Sequence, residues 1–266
     1  MNIVVCVKQI IDPEAPPSSF KIDTETRTII PPQGVPLVIS TFDEYAVEAA
    51  LRIKDALGAN VTALSLGNDF IRDVIKKPLS MGVDELVLLE DEAFADGDSW
   101  STANALALAI KKIGQVDLVL CGRQAADSDS GQVGPGLAEL LGLPCVNIAK
   151  KVEIINAKAR VERVIPDGYE LLEVSLPAVI TISNEHPAPR YPNVRGIMAA
   201  KRKEPIIWKP HDIGMDPSQA GAQGRLLKLF RLYQPVRDTK CEIIGGNTPE
   251  EAAANLADRM NKAGLI

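Results

Sequence analysis

Residues 118–144 read LVLCGRQAADSDSGQVGPGLAELLGLP, and the order of element types within them decides the fold. Leu118–Cys121 is a short apolar run of strand length. Gly122–Gly131 is a small polar loop. Val133, Leu137, Leu140 and Leu141 then recur at helical spacing. A strand, a loop of small residues and a helix start, in that order, make an anion seat. Backbone N–H groups point at the ligand, and the helix dipole favours negative charge. The stretch therefore predicts a nucleotide phosphate site.

The same alternation extends on both sides. Asn2–Lys8 is a continuous apolar run, as expected of a strand buried on both faces. Thr41 and Glu44 read as a capping box, followed by Ala46, Ala50, Ile53 and Leu57 at helical spacing and Gly58 as the stop. Asn60–Leu66 and Glu85–Leu89 are further strands. Phe70–Met81, with Pro78 near its end, and Ser99–Ile113 are helices. Pro144–Ile148 is a fifth short strand. Strands that alternate with helices imply a mainly parallel sheet, whose ligands bind beyond the carboxyl ends of the strands. Three segments should meet there: Val7–Ile10, Leu66–Asp69 and Gly122–Gly134. Residues 9–40 carry six prolines, which exclude a helix; Lys21–Asp23 and Thr28–Ile30 can form a hairpin.

After Lys150 the pattern changes. Lys151–Ile155, Ala159–Val164, Tyr169–Val174 and Ala178–Ser183 read as consecutive antiparallel strands, with turns at 156–158 and 167–168. Residues 184–225 are rich in Pro and Gly, include the basic cluster Lys201-Arg202-Lys203, and read as an extended arm. Thr248, Pro249 and Glu251 mark the start of a final helix.

The 266 residues suffice for one large α/β domain or two small ones. Only 4% are aromatic, so the core must be aliphatic. A net charge of −6 argues against a general nucleic-acid role. No apolar run approaches a membrane span, and the first residues enter a strand-like run with no basic leader, so a cytoplasmic protein is expected. The four cysteines form no C-x-x-C pair and read as small buried hydrophobes. His186 and His211 have no metal-site neighbours, and Asp127-Ser128-Asp129 reads better as turn residues than as a metal–diphosphate site. There is no G-x-x-x-x-G-K-[ST] loop, no G-x-G-x-x-G and no G-x-S-x-G elbow. No catalytic residue is assigned; the nucleotide is held and no bond is broken by this chain.

Five segments in order carry a resemblance. They are VVCVKQ at Val4–Gln9, FDEYAVEAALRIKD at Phe42–Asp55, CGRQAADSDSGQVGPGLAELLGLP at Cys121–Pro144, VERVIPDGYELLEVSLPAVITISNE at Val161–Glu185 and PRYPNVRGIMAAKRK at Pro189–Lys203. Together they make the chain similar, over essentially its full length, to the beta (small) subunit of electron transfer flavoprotein. The resemblance implies an α/β fold of the adenine-nucleotide α-hydrolase-like, Rossmann-type class. Its mainly parallel sheet is flanked by helices, with a later antiparallel β segment and an extended C-terminal arm. Residues 1–190 would form the nucleotide-binding domain, and residues 191–266 the docking loop, arm and terminal helix. It further implies a heterodimer with an alpha subunit that holds most of an electron-carrying FAD. Electrons would arrive from acyl-CoA dehydrogenases and leave to a membrane quinone oxidoreductase.

By position, the resemblance places adenine-side contacts at Cys6, Ser40 and Leu66. Phosphate contacts fall on Ala125, Ser128, Gly131, Gln132 and Val133, largely through backbone N–H groups. Phe42 matches an aromatic near the alpha subunit's flavin ring, and Val194 matches the hydrophobic anchor for partner dehydrogenases. The nucleotide implied is AMP, or a second FAD as in electron-bifurcating, NADH-linked members. Departures bear on that choice in both directions: Ser40 stands where the AMP-binding form often has Asn and Gly131-Gln132-Val133 where it has N-Q-T, whereas the T-G-T-L of the NADH-linked bifurcating form is replaced by Thr26–Ile30 and PPQG, and Pro13 stands where members often place an aromatic.

Overall fold

The computed structural model describes residues 1–30, 32–235 and 240–266. In chain order the elements are β1 (Asn2–Cys6), β2 (Gln9–Ile11), β3 (Lys21–Asp23), β4 (Thr28–Ile30), β5 (Leu37–Ile39), α1 (Thr41–Leu57) and β6 (Asn60–Gly67). They continue with α2 (Arg72–Ile75), α3 (Lys77–Met81), β7 (Glu85–Glu90), α4 (Ser99–Ile113), β8 (Leu118–Gly122) and α5 (Val133–Leu141). The later elements are β9 (Cys145–Ile155), β10 (Lys158–Ile165), β11 (Gly168–Ser175), β12 (Ala178–Ile182), α6 (Val194–Arg202), β13 (Ile206–Trp208), α7 (Gly221–Gly224) and α8 (Pro249–Lys262).

Among the described residues, nine strands form one sheet in the order β11-β10-β9-β12-β8-β1-β6-β7-β13. From β12 to β13 the pairing is parallel. The chain runs outward from β1 in one direction through β6 and β7, and in the other through β8 and β12. The order therefore reverses between β1 and β8, which is where open α/β sheets open a ligand crevice.

The strand pleat sends alternate residues into two aliphatic layers. Ile3, Val5 and Val7 pack with Ala46, Val47, Ala50 and Leu51 of α1. Val4, Cys6, Val119 and Cys121 pack with Ala103, Leu106, Leu137 and Ala138 of α4 and α5. Among the described residues no helix is long and apolar enough to cross a membrane.

Several sequence expectations need correction. The fifth short strand and the first antiparallel strand are one element, β9. It bends at Ile148, whose φ is 61°, and passes there from parallel pairing with β12 to antiparallel pairing with β10. β12 does not continue the antiparallel series. It crosses over and pairs parallel with both β8 and β9. Its uninterrupted buried run, AVITI, has no exposed face, unlike the alternating pattern of β10 and β11. The helix expected over 70–81 is two short ones. Pro78 lacks an N–H and would conflict with a carbonyl one turn back, so α3 restarts at Lys77 with the proline in its first turn.

Residues 184–225 are more than an extended arm. α6 lies against α3, and β13 adds to the sheet edge beside β7. The basic cluster Lys201-Arg202-Lys203 sits at the end of α6, where cations suit the helix dipole. The hairpin β3–β4 and the cap of α8 form as expected: Thr248 Oγ1 accepts from Glu251 N–H at 3.2 Å. Of the cysteines, Cys6 and Cys121 are buried, whereas Cys145 and Cys241 are exposed.

Candidate functional site

A cavity of about 440 Å³ opens at the carboxyl ends of β1 and β8. Cys6 lines it from β1 and Val7 and Lys8 from the residues that follow, Leu66 from β6, and residues 121–125, 128 and 130–134 from β8 and the loop into α5. The three segments expected to meet at this edge do so in part: Val7, Lys8, Leu66 and the 122–134 loop share the wall. A further wall has no forewarning in the sequence pattern. Gly97, Asp98, Ser99, Thr102 and Leu106 come from the start of α4, and Leu227 comes from the C-terminal segment.

Two helix N-termini thus face one cavity, and they differ chemically. At α4, Asp98 accepts from Ser101 N–H at 2.9 Å in a capping box, and its second oxygen accepts from Leu226 and Leu227 N–H, each at 2.8 Å. Burial there works to raise the Asp98 pKa. The hydrogen bonds from Ser101, Leu227 and Leu226 outweigh it and hold the carboxyl below its usual range. That helix start already has its anion. At α5, Gln132 precedes the first turn with no side-chain cap bond. Its first N–H groups are the ones free for an external anion. Gly131, at φ 63°, delivers the chain into this turn.

Gly131→Ala is expected to cost about 1–2 kcal/mol, because the left-handed conformation crowds a Cβ against the backbone. The added Cβ would also lie 3.4 Å from the Arg123 carbonyl oxygen. Urea denaturation would read this loss, and a stability equal to wild type would show that the turn tolerates a side chain.

The loop is tied from beneath. Asp43, in the first turn of α1, is buried and accepts from Lys8 N–H at 2.9 Å and from Gly122 N–H at 3.1 Å. It staples the ends of β1 and β8 together at the crevice. Burial pushes its carboxyl up to about 7, against the two hydrogen bonds that favour the charged form. Gly122 must be glycine: a Cβ would sit 2.5 Å from Asp43 Oδ1 and 2.8 Å from the Phe42 backbone.

Ser40 and Phe42 do not line the cavity. Ser40 is buried behind the loop, and its Oγ accepts from Ala126 N–H at 3.3 Å. This corrects the capping box read at Thr41. Ser40 is the residue preceding α1, and its hydroxyl serves the loop instead of the helix. Phe42 stacks under the Arg123 guanidinium, 4.9 Å from ring centre to Cζ. Ser128 lines the cavity, but its N–H is taken by Ala125 O at 3.3 Å. The two acidic side chains of the D-S-D run are engaged by residues of the site wall: Asp127 by Lys8 Nζ at 2.7 Å, and Asp129 by Gln124 Nε2 at 2.6 Å. Val194 lies elsewhere, at the first residue of α6, with 79% of its surface exposed.

A family model described as the electron transfer flavoprotein domain matches residues 28–213. The electron transfer flavoprotein subunit beta of Thermoanaerobacterium thermosaccharolyticum is 41% identical over the whole of both chains. The chain belongs to the electron transfer flavoprotein family, among its beta subunits. Subunit CarD of the caffeyl-CoA reductase-Etf complex of Acetobacterium woodii is 39% identical, again over the whole of both chains. Protein FixA of Azorhizobium caulinodans is 35% identical over 97% of this chain and 93% of its own. Outside the three expected segments, the crevice-lining residues that sequence reading missed include Asp43, Asp98 and Leu227. Asp43 had a local signal, an acidic residue in a helix first turn, but its partners lie far away in sequence.

Proposed function

We propose that this chain is the beta subunit of a heterodimeric electron carrier and that its crevice holds an adenine nucleotide, with the phosphate at the start of α5. The uncapped α5 N-terminus facing the cavity carries this reading. Cys6 and Leu66 would flank the adenine side, and Gly131, Gln132 and Val133 the phosphate, with Ala125 and Ser128 completing the wall. The chain itself breaks no bond. An alpha subunit would hold an FAD, which supplies the one- and two-electron chemistry, and Phe42, stacked under Arg123, would border that flavin. Val194 on the exposed face of α6, followed by Lys201, Arg202 and Lys203, suits docking by acidic, acyl-CoA dehydrogenase-type donors, with a quinone oxidoreductase as acceptor.

AMP is the simplest occupant: it would fill the crevice and stabilise the fold as any native-state ligand does. One observation favours a second FAD. Arg123 Nε is buried with no hydrogen-bond partner among the described residues, and this residue lines both the cavity and a neighbouring hollow formed by Ile148, Val164, Ile165, Pro166, Gly168 and Glu185. A dinucleotide leaving the phosphate seat would pass Arg123 and could supply its missing acceptor. Heat extraction of the purified heterodimer, with FAD and AMP quantified together, tests both. One FAD and one AMP per heterodimer is the expected result for the carrier. Two FAD and no AMP would support the bifurcating reading, and no bound adenine nucleotide at all would remove the proposed seat.

A further inference from the structure

Two buried thiols stand side by side on the floor of the crevice. β1 and β8 are parallel neighbours with Val4 beside Val119 and Val5 beside Leu120. The next step of this register sets Cys6 beside Cys121. Both side chains point to the layer of α4 and α5, both line the cavity, and each is less than a tenth exposed. Contact with the Cys6 side chain, together with burial, pushes the Cys121 thiol well above its ordinary pKa, which makes Cys6 the attacking thiol and Cys121 the one that resolves the mixed disulfide. Neighbouring strands lie about 4.8 Å apart, inside the roughly 4.4–6.8 Å between Cα atoms that a disulfide spans.

We propose that Cys6 and Cys121 form a reversible dithiol–disulfide site in the floor of the nucleotide crevice, open to oxidant only while the crevice is empty. The protection rests on the nucleotide reading above; the pairing of the thiols does not. Oxidation joins the two Sγ atoms and releases two protons and two electrons. A small-molecule disulfide of the glutathione class takes both pairs and leaves as two thiols, by attack of one cysteine and displacement by the second. The cross-link must draw two flat, side-by-side strand positions together. The resulting strain makes it easy to reduce. Cys145 and Cys241 are exposed, outside this strand pair, and serve as internal controls.

The test uses the full chain in the complex with which it purifies, freed of nucleotide and treated with diamide, which accepts the same two hydrogens. Remaining thiols are alkylated, and the protein is digested with trypsin without reduction. Cleavage separates the two cysteines into peptides 1–8 and 113–123. The expected product is these two peptides joined, two hydrogens lighter than their sum and split again by dithiothreitol. Cys145→Ala with Cys241→Ala should leave the product unchanged. Cys6→Ser and Cys121→Ser, checked for folding by circular dichroism, should each abolish it. A nucleotide at 100 times its Kd should slow the reaction about a hundredfold, in proportion to the empty fraction. Alkylation of free Cys6 and Cys121 after diamide, with no joined peptide, overturns the site. A joined peptide formed equally fast with AMP or FAD present upholds the pair and overturns the nucleotide seat above it.

Discussion

Asp43→Ala should be the most damaging single change at the crevice, lowering stability by about 2–5 kcal/mol, the cost of orphaning one buried and one part-buried donor. The donors are Lys8 N–H and Gly122 N–H, which lie at the ends of β1 and β8 and have the Asp43 carboxyl as their acceptor. Alanine offers them no acceptor. The nucleotide should be lost as well, because the 122–131 loop is placed by this bond and by the one from Ala126 N–H to Ser40 Oγ. Urea denaturation and nucleotide content of the purified variant check the two effects. A variant as stable as wild type that still carries its nucleotide would show that the staple is dispensable.

The same residue sets a pH dependence whose sign follows from its burial. The Asp43 carboxyl is raised from 3.8 to about 7 in the fold. A group raised in this way binds its proton more tightly folded than unfolded. Its favourable contribution is complete below about 3.8, declines as pH rises towards 7, and is lost above that. The Asp43→Asn side chain cannot titrate, so the variant's stability should be flatter than wild type across that window. Wild-type and Asp43→Asn curves of identical slope would locate the titration elsewhere.

Residue patterns make the parallel half of the sheet readable because each strand is a local event. NIVVCVK, NVTALSLG and LVLCG are short, apolar and bounded by polar residues, and each forms a strand of the crevice wall. The start of α5 is readable for the same reason: its glycines and its missing cap residue lie within one turn of each other. What local pattern does not reveal is what depends on pairing across the chain. Asp43 and Gly122 are 79 positions apart, and Asp98 and Leu227 are 129. Ser40 shows the limit clearly. Local rules assign the cap to Thr41, whereas the fold places Ser40 before the helix and commits its hydroxyl to a loop 86 residues away. β12 misleads for a different reason. Three hairpin strands precede it, and continuation of the series outweighs a buried run that already marks it as central.

Arg190→Ala should cost about 3 kcal/mol, near the lower end of the roughly 3–5 kcal/mol seen when one partner of a buried ion pair is removed. Glu48 in α1 has only 3% of its side chain exposed, and its carboxylate accepts from Arg190 Nε at 2.8 Å, Arg190 Nη2 at 3.2 Å and Arg190 N–H at 3.1 Å. Arg190 also reaches Asp55 at 2.8 Å. Arg52 Nε remains on Glu48 at 2.8 Å, which keeps the loss from the upper end of the range. Burial alone would raise the Glu48 pKa; the bonds from Arg190 outweigh it and lower it. The stability this confers is present above the unfolded pKa and lost as pH falls through the folded one, so Arg190→Ala should lose part of the wild-type acid sensitivity. Glu48→Gln in the Arg190→Ala background should recover at least half of the loss, because it removes the stranded charge. The consequence reaches the proposed docking face. Arg190 is the last strong anchor before Tyr191, Pro192 and Asn193, which lead into α6 and Val194. Without it, amide hydrogen exchange should quicken across 191–198 while β1 and β8 stay protected. Unchanged exchange over 191–198 together with full stability would mean that the α3 contact alone holds α6, and that Arg190 contributes only to the surface of α1.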